Sequence, residues 1–226
     1  MKSIALLSGG LDSCVALALA QRQQLNPSAA VTILYGQRHN REIRSAEAIS
    51  AHFGLRHILI DLPIGNYIKH ASALLNPQEA LPKDRGMEEM SSDIPRSYVP
   101  GRNTMMLAIA QSLAEAFDAN CIIVGFNHLD YSGYPDCRPE YVTAWNKFAR
   151  LATKAGVEGN PIEVWAPLIE MTKVDIIARG IELRAPFHLT WSCYQGHDKA
   201  CGKCDSCIIR LDGFKKLKLE DPIKYV

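Results

Sequence analysis

The sequence contains no apolar run of the roughly 18 residues that a membrane-spanning helix needs. It also lacks long basic runs, and 25 Lys and Arg are balanced by 24 Asp and Glu, which gives a net charge of +1. Internal repeats and low-complexity tracts are absent. With 47% hydrophobic and 22% charged residues, the chain reads as an ordinary globular protein. We therefore expect a small-molecule substrate, no direct nucleic-acid contact and no membrane contact.

An uninterrupted export signal is missing as well. The first twenty residues are largely apolar after Lys2, but Asp12 and the Ser-Gly-Gly break interrupt the apolar core that a signal peptide requires. We therefore expect a cytoplasmic protein. The seven cysteines, an odd number, then indicate reduced thiols and metal binding rather than disulfides.

Apolar runs of strand length alternate with segments of helical length. The predicted strands are 4–7, 31–35, 57–61, 121–125 and 162–165, and the predicted helices include 42–52, 103–117 and 140–155. In the last helix, Tyr141, Trp145, Phe148 and Ala152 recur at helical spacing and should face the core. This alternation predicts an α/β fold, a three-layer doubly wound parallel sheet whose ligands bind beyond the carboxyl ends of the strands.

Residues 8–13 read SGGLDS between the first predicted strand and an apolar helix start. Two glycines let the backbone turn sharply and approach a ligand, while the first N–H groups of the helix point toward an anion. Ser8 and Ser13 can add hydroxyl donors, and Asp12 can hold Mg²⁺ that bridges phosphate oxygens. No Gly-Lys-Ser/Thr follows, so this is not a Walker loop. The alternative interpretation is an ordinary glycine-rich turn with a capping serine. The predicted phosphate site comprises Ser8, Gly9, Gly10, Leu11, Asp12 and Ser13 and the first turns of the following helix, Cys14, Val15, Ala16, Leu17 and Ala18.

Two further helix starts carry a cation. Arg102 lies in the sequence VPGRN, which opens an apolar helix, so its guanidinium can meet nucleotide phosphates beside the helix N-terminus. Lys173 follows Thr172, a predicted cap with Asp175 in the capping-box position, and can neutralise phosphate groups of the nucleotide. The alternative for Lys173 is a solvated lysine of the first helical turn. We predict that Asp12, Lys173 and Arg102 are the catalytic residues.

Four cysteines lie within fifteen residues, Cys193, Cys201, Cys204 and Cys207, with the spacing C-x7-C-x2-C-x2-C. Four thiolates this close in sequence form a tetrahedral cage with no open position, which is typical of one structural Zn²⁺. An iron–sulfur cluster fits the C-x2-C-x2-C spacing too, and His197 is an alternative ligand in place of one cysteine.

The stretch 131–140 reads YSGYPDCRPE and is rich in groups that orient a planar polar molecule. A carboxylate can accept two parallel hydrogen bonds from a guanine-like edge, an arginine can grip a carboxylate, and a tyrosine can stack. Tyr134, Asp136, Arg138 and Glu140 are the predicted substrate-binding residues. The alternative is a proline-rich turn followed by a helix that starts at Pro139. Cys137 has no partner base assigned by the sequence, so a nucleophilic role is not favoured.

These motifs divide the chain into two predicted parts. Residues 1–184 are expected to form a nucleotide-binding α/β domain, and residues 185–226 a C-terminal zinc-binding segment packed on it. Residues 71–98 carry Pro77, Pro82, Gly86 and Pro95 with little apolar periodicity, so we interpret them as a long mobile flap near the site.

The SGGLDS loop resembles the pyrophosphate loop of the ATP pyrophosphatase superfamily. Together with YGQRH, VPGRN, GFNHLDYSGYPDCRPE, MTKVDI, TWSCY and CGKCDSC, in this order along nearly the whole chain, it resembles the 7-cyano-7-deazaguanine synthase family of queuosine biosynthesis. One departure is Cys14, where Thr is common. The resemblance implies an adenine nucleotide alpha hydrolase-like fold, a homodimer, and ATP-dependent conversion of 7-carboxy-7-deazaguanine and ammonia to the nitrile through an adenylated intermediate and an amide.

Two other functions remain open from the residues. A tRNA-modifying ATP pyrophosphatase, a thiolase or a lysidine-type ligase, would share the ATP loop but would need an RNA surface. A non-catalytic nucleotide-binding regulator stabilised by zinc would bind ATP without releasing AMP or pyrophosphate.

Overall fold

A computed structural model describes residues 1–86, 89–90, 94–129 and 134–226. Within these ranges five parallel strands form one sheet in the order β3-β2-β1-β4-β5. The strands are β1 (Ser3–Leu6), β2 (Pro27–Leu34), β3 (Arg56–Asp61), β4 (Cys121–Ile123) and β5 (Glu163–Trp165). All five predicted strands are confirmed, although β2 begins several residues earlier than expected.

Helices lie between successive strands, as a parallel sheet requires, and two more follow the last strand. They are α1 (Leu11–Arg22), α2 (Arg41–His52), α3 (Gly65–Ile68), α4 (Arg102–Ala116), α5 (Pro139–Ala152), α6 (Lys154–Val157), α7 (Lys173–Glu182) and α8 (Asp205–Lys216). Short 3₁₀ turns cover Lys69–Ala71, Pro135–Cys137 and Phe187–Leu189. None of the helices in the described ranges has both the length and the apolar character needed to cross a membrane.

Two apolar cores lie on opposite faces of the sheet, because successive strand residues point to opposite sides. In β1, Ile4 belongs to the core under α4 and α5, whereas Ala5 belongs to the core under α1, α2, α7 and α8. Both side chains are no more than 1% exposed. The predicted three-layer α/β architecture is therefore confirmed.

The predicted inner face of α5 is partly wrong. Trp145 is buried and Tyr141 packs against the core, but Phe148 is 54% exposed, Ala152 is exposed, and Ala149 is buried instead. The cause is Asn146, whose side-chain amide pairs with the backbone N–H and C=O of Val164 in the edge strand β5. This pairing turns the Asn146 side of α5 toward the sheet and the Phe148 side toward solvent.

Residues 72–86 of the predicted flap are tied to their surroundings. The Arg38 guanidinium donates hydrogen bonds to the carbonyls of Ala73, Pro77 and Glu79 at 2.9–3.3 Å. Farther along, the N–H of Asp84 donates to the carbonyl of Lys203 at 2.8 Å. Residues 87–88 and 91–93 lie outside the described residues, and motion of the segment stays a prediction.

The C-terminal segment is held by a buried ion pair. Arg210 binds Asp221 at 2.7 Å, and both side chains are 2% exposed. Arg210 also donates to the hydroxyl of Thr190 and to the carbonyl of Phe187. This segment packs directly on α7 through α8. The domain boundary that we place at residue 184 stays a prediction.

Candidate active site

The SGGLDS turn lies at the carboxyl end of β1, the central strand of the sheet. Gly9 has φ +83, and a Cβ there would lie 2.2 Å from the backbone oxygen of Glu42. The hydroxyl of Ser8 accepts the N–H of Gly10 at 3.2 Å and contacts the hydroxyl of Ser13 at 3.1 Å. The turn thus needs glycine for both its conformation and its close contact with α2.

The start of α1 exposes backbone donors. Gly10 is the N-cap and supplies no side-chain cap, and the first intrahelical bond runs from the N–H of Cys14 to the carbonyl of Gly10. The N–H groups of Leu11, Asp12 and Ser13 therefore precede the helical ladder and can meet an anion. A Cβ at Gly125 would lie 2.6 Å from the nitrogen of Ser13, so a side chain there would press on this cradle.

The predicted phosphate residues farther along α1 lie below the cradle. Cys14, Val15, Ala16, Leu17 and Ala18 are at most 6% exposed, and their side chains do not line the cavity described here. Burial raises the pKa of the Cys14 thiol to about 12. Their part in ATP binding stays a prediction.

A carboxylate and an ammonium group meet above the cradle. Lys173 Nζ lies 2.5 Å from Asp12 Oδ1, and the two side chains are 13% and 26% exposed. Thr172 and Asp175 form the predicted capping box, which fixes the start of α7 beside the start of α1. Lys173 is therefore paired at the site and is not the solvated lysine of the alternative interpretation.

Arg102 lies on the other side of the cavity. Gly101 takes a left-handed φ of +61, and α4 begins at the next residue. The Arg102 guanidinium lies 5.8 Å from the ring centre of Tyr35 and 5.9 Å from that of Tyr134, and it donates to the Tyr35 hydroxyl at 3.5 Å. These contacts hold a permanent positive charge at the cavity wall.

The cavity enclosed by these groups has a volume of about 290 Å³ and crosses the carboxyl edge of the sheet. At one end it is lined by apolar residues on the α4 side, including Val31, Ile33 and Met106. At the other end its lining is polar and aromatic: His39, Glu42, Trp191 and Tyr194. Asp12 and Glu42 are the carboxylates of the described chain that line it.

The structure separates the four predicted substrate-binding residues. Tyr134 lines the cavity, and its hydroxyl lies 2.8 Å from that of Ser97. Asp136 is buried and accepts the backbone N–H of Asn103 at 3.0 Å, so it caps the start of α4. Neither Asp136, Arg138 nor Glu140 belongs to the described cavity lining, and roles for them in substrate binding stay predictions.

The remainder of that stretch agrees with the proline-rich turn that was the alternative interpretation. A 3₁₀ turn covers Pro135–Cys137, and α5 begins at Pro139. Tyr131 to Gly133 lie outside the described residues. Burial raises the pKa of Cys137 to about 12, which disfavours a thiolate nucleophile at neutral pH.

Sequence reasoning missed two residues that build the site. The N–H of Trp191 donates to the carbonyl of Gly9 at 2.8 Å, and its indole N–H donates to the carbonyl of Cys193 at 3.0 Å. Glu42 lines the cavity behind Gly9. The only sequence signals were indirect, since Trp191 precedes a cysteine ligand and Glu42 follows YGQRH after the second strand.

The four predicted cysteines converge into one candidate metal centre. The sulfurs of Cys193, Cys201, Cys204 and Cys207 all lie within 4.8 Å of one another, and those of Cys201 and Cys207 are 4.0 Å apart. Tetrahedral zinc with bonds of about 2.3 Å places its sulfurs about 3.8 Å apart, so the spacing fits. His197, the alternative ligand, does not belong to the group of metal-binding side chains found among the described residues.

Backbone donors surround the sulfur cage. The N–H groups of Gln195 and Cys201 donate to the sulfur of Cys193 at 3.3–3.4 Å, and those of Lys203 and Cys204 donate to the sulfur of Cys201. Hydrogen bonds from the neighbouring thiols of Cys204 and Cys207, together with the backbone donors, lower the pKa of Cys193. Such donors stabilise thiolate, the form that binds a metal.

Comparisons with a family model and with individual proteins point to the same family. The model of one family, described as queuosine biosynthesis protein QueC, matches residues 2–218. A Nostoc protein, named 7-cyano-7-deazaguanine synthase, is 46% identical to this chain over 226 residues, which cover 100% of this chain and 97% of the relative. A protein of the same name from Cupriavidus necator is 48% identical over 227 residues, covering 99% of this chain and 97% of the relative.

Solved structures are similar to this chain at low sequence identity. A U34-tRNA thiolase, NcsA, from Methanococcus maripaludis has a TM-score of 0.48 and 14% sequence identity. The match covers 96% of this chain and 67% of the thiolase.

Proposed function

The chain belongs to the QueC family of queuosine biosynthesis proteins, and we propose that it converts 7-carboxy-7-deazaguanine and ammonia to 7-cyano-7-deazaguanine in a reaction driven by ATP. A carboxylate does not expel hydroxide, so it first attacks the α-phosphorus of ATP and releases pyrophosphate. Ammonia then displaces AMP from the mixed anhydride and gives an amide. A second ATP adenylates the amide oxygen and releases pyrophosphate, and departure of that oxygen as AMP, with loss of the two N–H protons, forms the nitrile.

The observation that carries this proposal is the Asp12–Lys173 pair above the open N-terminus of α1. The N–H groups of Leu11, Asp12 and Ser13 bind the triphosphate, and Lys173 neutralises the departing pyrophosphate. Donors that meet charge developing in the transition state are each worth roughly 3 kcal/mol. Asp12 keeps Lys173 in place, and it is the proposed ligand of the Mg²⁺ that accompanies ATP and neutralises phosphate oxygens.

Arg102 supplies the second cation. Its guanidinium is held between Tyr35 and Tyr134 at the cavity wall, where it can contact the phosphates or the substrate carboxylate. The apolar end of the cavity, with Val31, Ile33 and Met106, suits the adenine ring. The polar end, with Trp191 and Tyr194, suits the deazaguanine ring.

We propose that the cysteine cage holds one structural Zn²⁺. Four sulfurs leave no open coordination position, so the ion would stabilise the fold and take no part in the reaction. Trp191 connects this cage to the phosphate loop, because it binds both Cys193 and Gly9. None of the seven cysteines forms a disulfide, which supports a cytoplasmic location.

A second copy of the chain is the proposed macromolecular partner. Phe148, Leu151 and Val157 are 54%, 83% and 74% exposed along α5 and α6. Exposed apolar side chains that cluster on consecutive helices favour an interface. We therefore propose a homodimer, which sedimentation analysis of the wild type and of a Leu151→Glu variant would test.

The decisive experiment incubates the protein with ATP, Mg²⁺, ammonium and 7-carboxy-7-deazaguanine. We expect AMP, pyrophosphate and the nitrile, with the amide as an intermediate. Asp12→Ala should remove all three products. A regulator would release none of them with the wild type, and a tRNA-modifying enzyme would release AMP only after tRNA is added.

A further inference from the structure

Glu42 is a carboxylate at the cavity that the proposed chemistry leaves unused. It lies in the first turn of α2, where its backbone oxygen contacts Gly9 of the phosphate loop. Its side chain lines the polar end of the cavity and is only partly exposed. Within the described chain, no hydrogen bond or ion pair reaches its carboxylate.

The other carboxylates near the cavity have partners. Asp12 binds Lys173 at 2.5 Å, and Asp136 accepts the N–H of Asn103 from outside the cavity lining. A carboxylate kept from water without a donor is unfavourable, and burial raises the pKa of Glu42 to about 7 although Arg102 opposes this rise. The polar end of the cavity therefore calls for a ligand that brings hydrogen-bond donors.

His39 adds a second, independent observation. It lies one turn before Glu42 and lines the same end of the cavity, and its Nδ1 is buried without a hydrogen-bond partner. The imidazole is hydrogen-bonded to the backbone of Tyr194, and burial lowers its pKa, so the ring is neutral near pH 7. With its N–H directed to the Tyr194 carbonyl, Nδ1 is a bare acceptor.

The unpartnered Glu42 carboxylate and the aromatic side chains of Trp191 and Tyr194 therefore line the same cavity. A planar ring with adjacent donors satisfies both features. The N1–H and 2-amino group of a 2-aminopyrimidinone ring present two parallel donors to one carboxylate, in the fork geometry that makes such pairs strong. The negative charge of Glu42 also repels the substrate carboxylate, which therefore points toward Arg102 and Lys173.

We propose that Glu42 accepts the N1–H and 2-amino hydrogens of the 7-deazaguanine ring, and that it thereby sets base specificity and turns the ring carboxylate toward the α-phosphate. This inference rests on the proposed function, because it assigns the ring edge of that substrate.

The test compares Glu42→Gln with Glu47→Gln, a matched change on the solvent face of the same helix. Each enzyme receives 7-carboxy-7-deazaguanine or the analogue that lacks the 2-amino group, and initial pyrophosphate release gives kcat/KM. Wild type and Glu47→Gln should prefer the amino compound by about 100-fold, as expected for loss of a hydrogen bond to a charged group. In Glu42→Gln, KM for the amino compound should rise by about 100-fold and the preference should fall below about tenfold.

Two further readings make the result specific. KM for ATP and for ammonium should stay within about twofold in Glu42→Gln, and Glu42→Asp should keep part of the preference because it retains both acceptors. Full preference in a folded Glu42→Gln enzyme, or a rise in KM for ammonium alone, would overturn the inference. A wild-type enzyme that turns over neither compound refutes the proposed function itself, and the ring assignment with it.

Discussion

Replacement of Gly9 by alanine tests whether close contact between the phosphate loop and α2 holds the site together. Gly9 has φ +83, and its new methyl group would lie 2.2 Å from the Glu42 oxygen and 3.0 Å from the Ala46 nitrogen, both backbone atoms. A left-handed conformation costs an L-residue about 1–2 kcal/mol. Ala46 and Ile49 anchor α2 in the core, so relief of the contact must move a packed helix and adds about 1–3 kcal/mol.

Gly54 provides the matched control. It also has a positive φ, +67, but a Cβ there meets nothing within 4 Å. Gly54→Ala should therefore lose only the conformational contribution of about 1–2 kcal/mol, whereas Gly9→Ala should lose about 2–5 kcal/mol. Urea denaturation measures both changes in the free energy of unfolding.

The affinity for ATP should also differ between the Gly9→Ala and Gly54→Ala variants. The carbonyl of Gly9 accepts the N–H of Trp191 at 2.8 Å, so a displaced loop disturbs the phosphate cradle and its support together. Calorimetric titration should show weaker ATP binding for Gly9→Ala and unchanged binding for Gly54→Ala. Equal losses of stability in the two variants, with equal ATP affinity, would refute the steric reasoning.

Three other changes have defined outcomes. Removal of the metal from the cysteine cage by a chelator should lower both the melting temperature and the ATP affinity, because Trp191 joins the cage to the phosphate loop, and added Zn²⁺ should restore both. Arg210→Met leaves the buried Asp221 charge with only the Tyr225 hydroxyl and the Ile223 N–H as donors, and urea denaturation should show a loss of about 3–5 kcal/mol that a second change, Asp221→Leu, recovers in part. Because burial raises the pKa of Glu42 from 4.5 to about 7, the unfolded chain releases this proton before the native chain does, so this group lowers stability as pH rises from about 4.5 to about 7 and has a constant effect above that. Ligand-free Glu42→Gln should therefore match wild type near pH 4.5 and exceed it by at most about 3 kcal/mol at pH 8.5 in thermal or urea unfolding, and equal stabilities at both pH values would contradict this.

Local patterns were sufficient for much of the fold. Four of the five strands contain short runs of apolar residues with buried side chains, and β3 has an apolar centre that is partly exposed, so their positions follow from neighbouring residues alone. The α5 helix was predicted for the same reason, but its inner face was not. Which side of α5 is buried depends on the bond between Asn146 and the edge strand β5, and that partner lies 18 residues away.

The candidate site also has parts that local sequence predicts and parts that it does not. The SGGLDS turn and the four-cysteine cage are short-range features, since glycine conformation, helix donors and sulfur spacing act within fifteen residues or fewer. Asp136 shows the limit of such reasoning. Its residue type suits base recognition, yet in the folded chain it caps α4 at Asn103, 33 residues away.

The sequence by itself therefore determined the strand and helix pattern, the SGGLDS turn and the cysteine cluster, because each depends on the chemistry of adjacent residues. Only the tertiary structure decided that Lys173 meets Asp12 across 161 positions, that Trp191 supports Gly9, and that Glu42 lines the cavity. The physical reason is that the ends of parallel strands and the helices that follow them converge at one edge of the sheet. Which side chains face each other there is set by packing over the whole domain, and no local pattern records it.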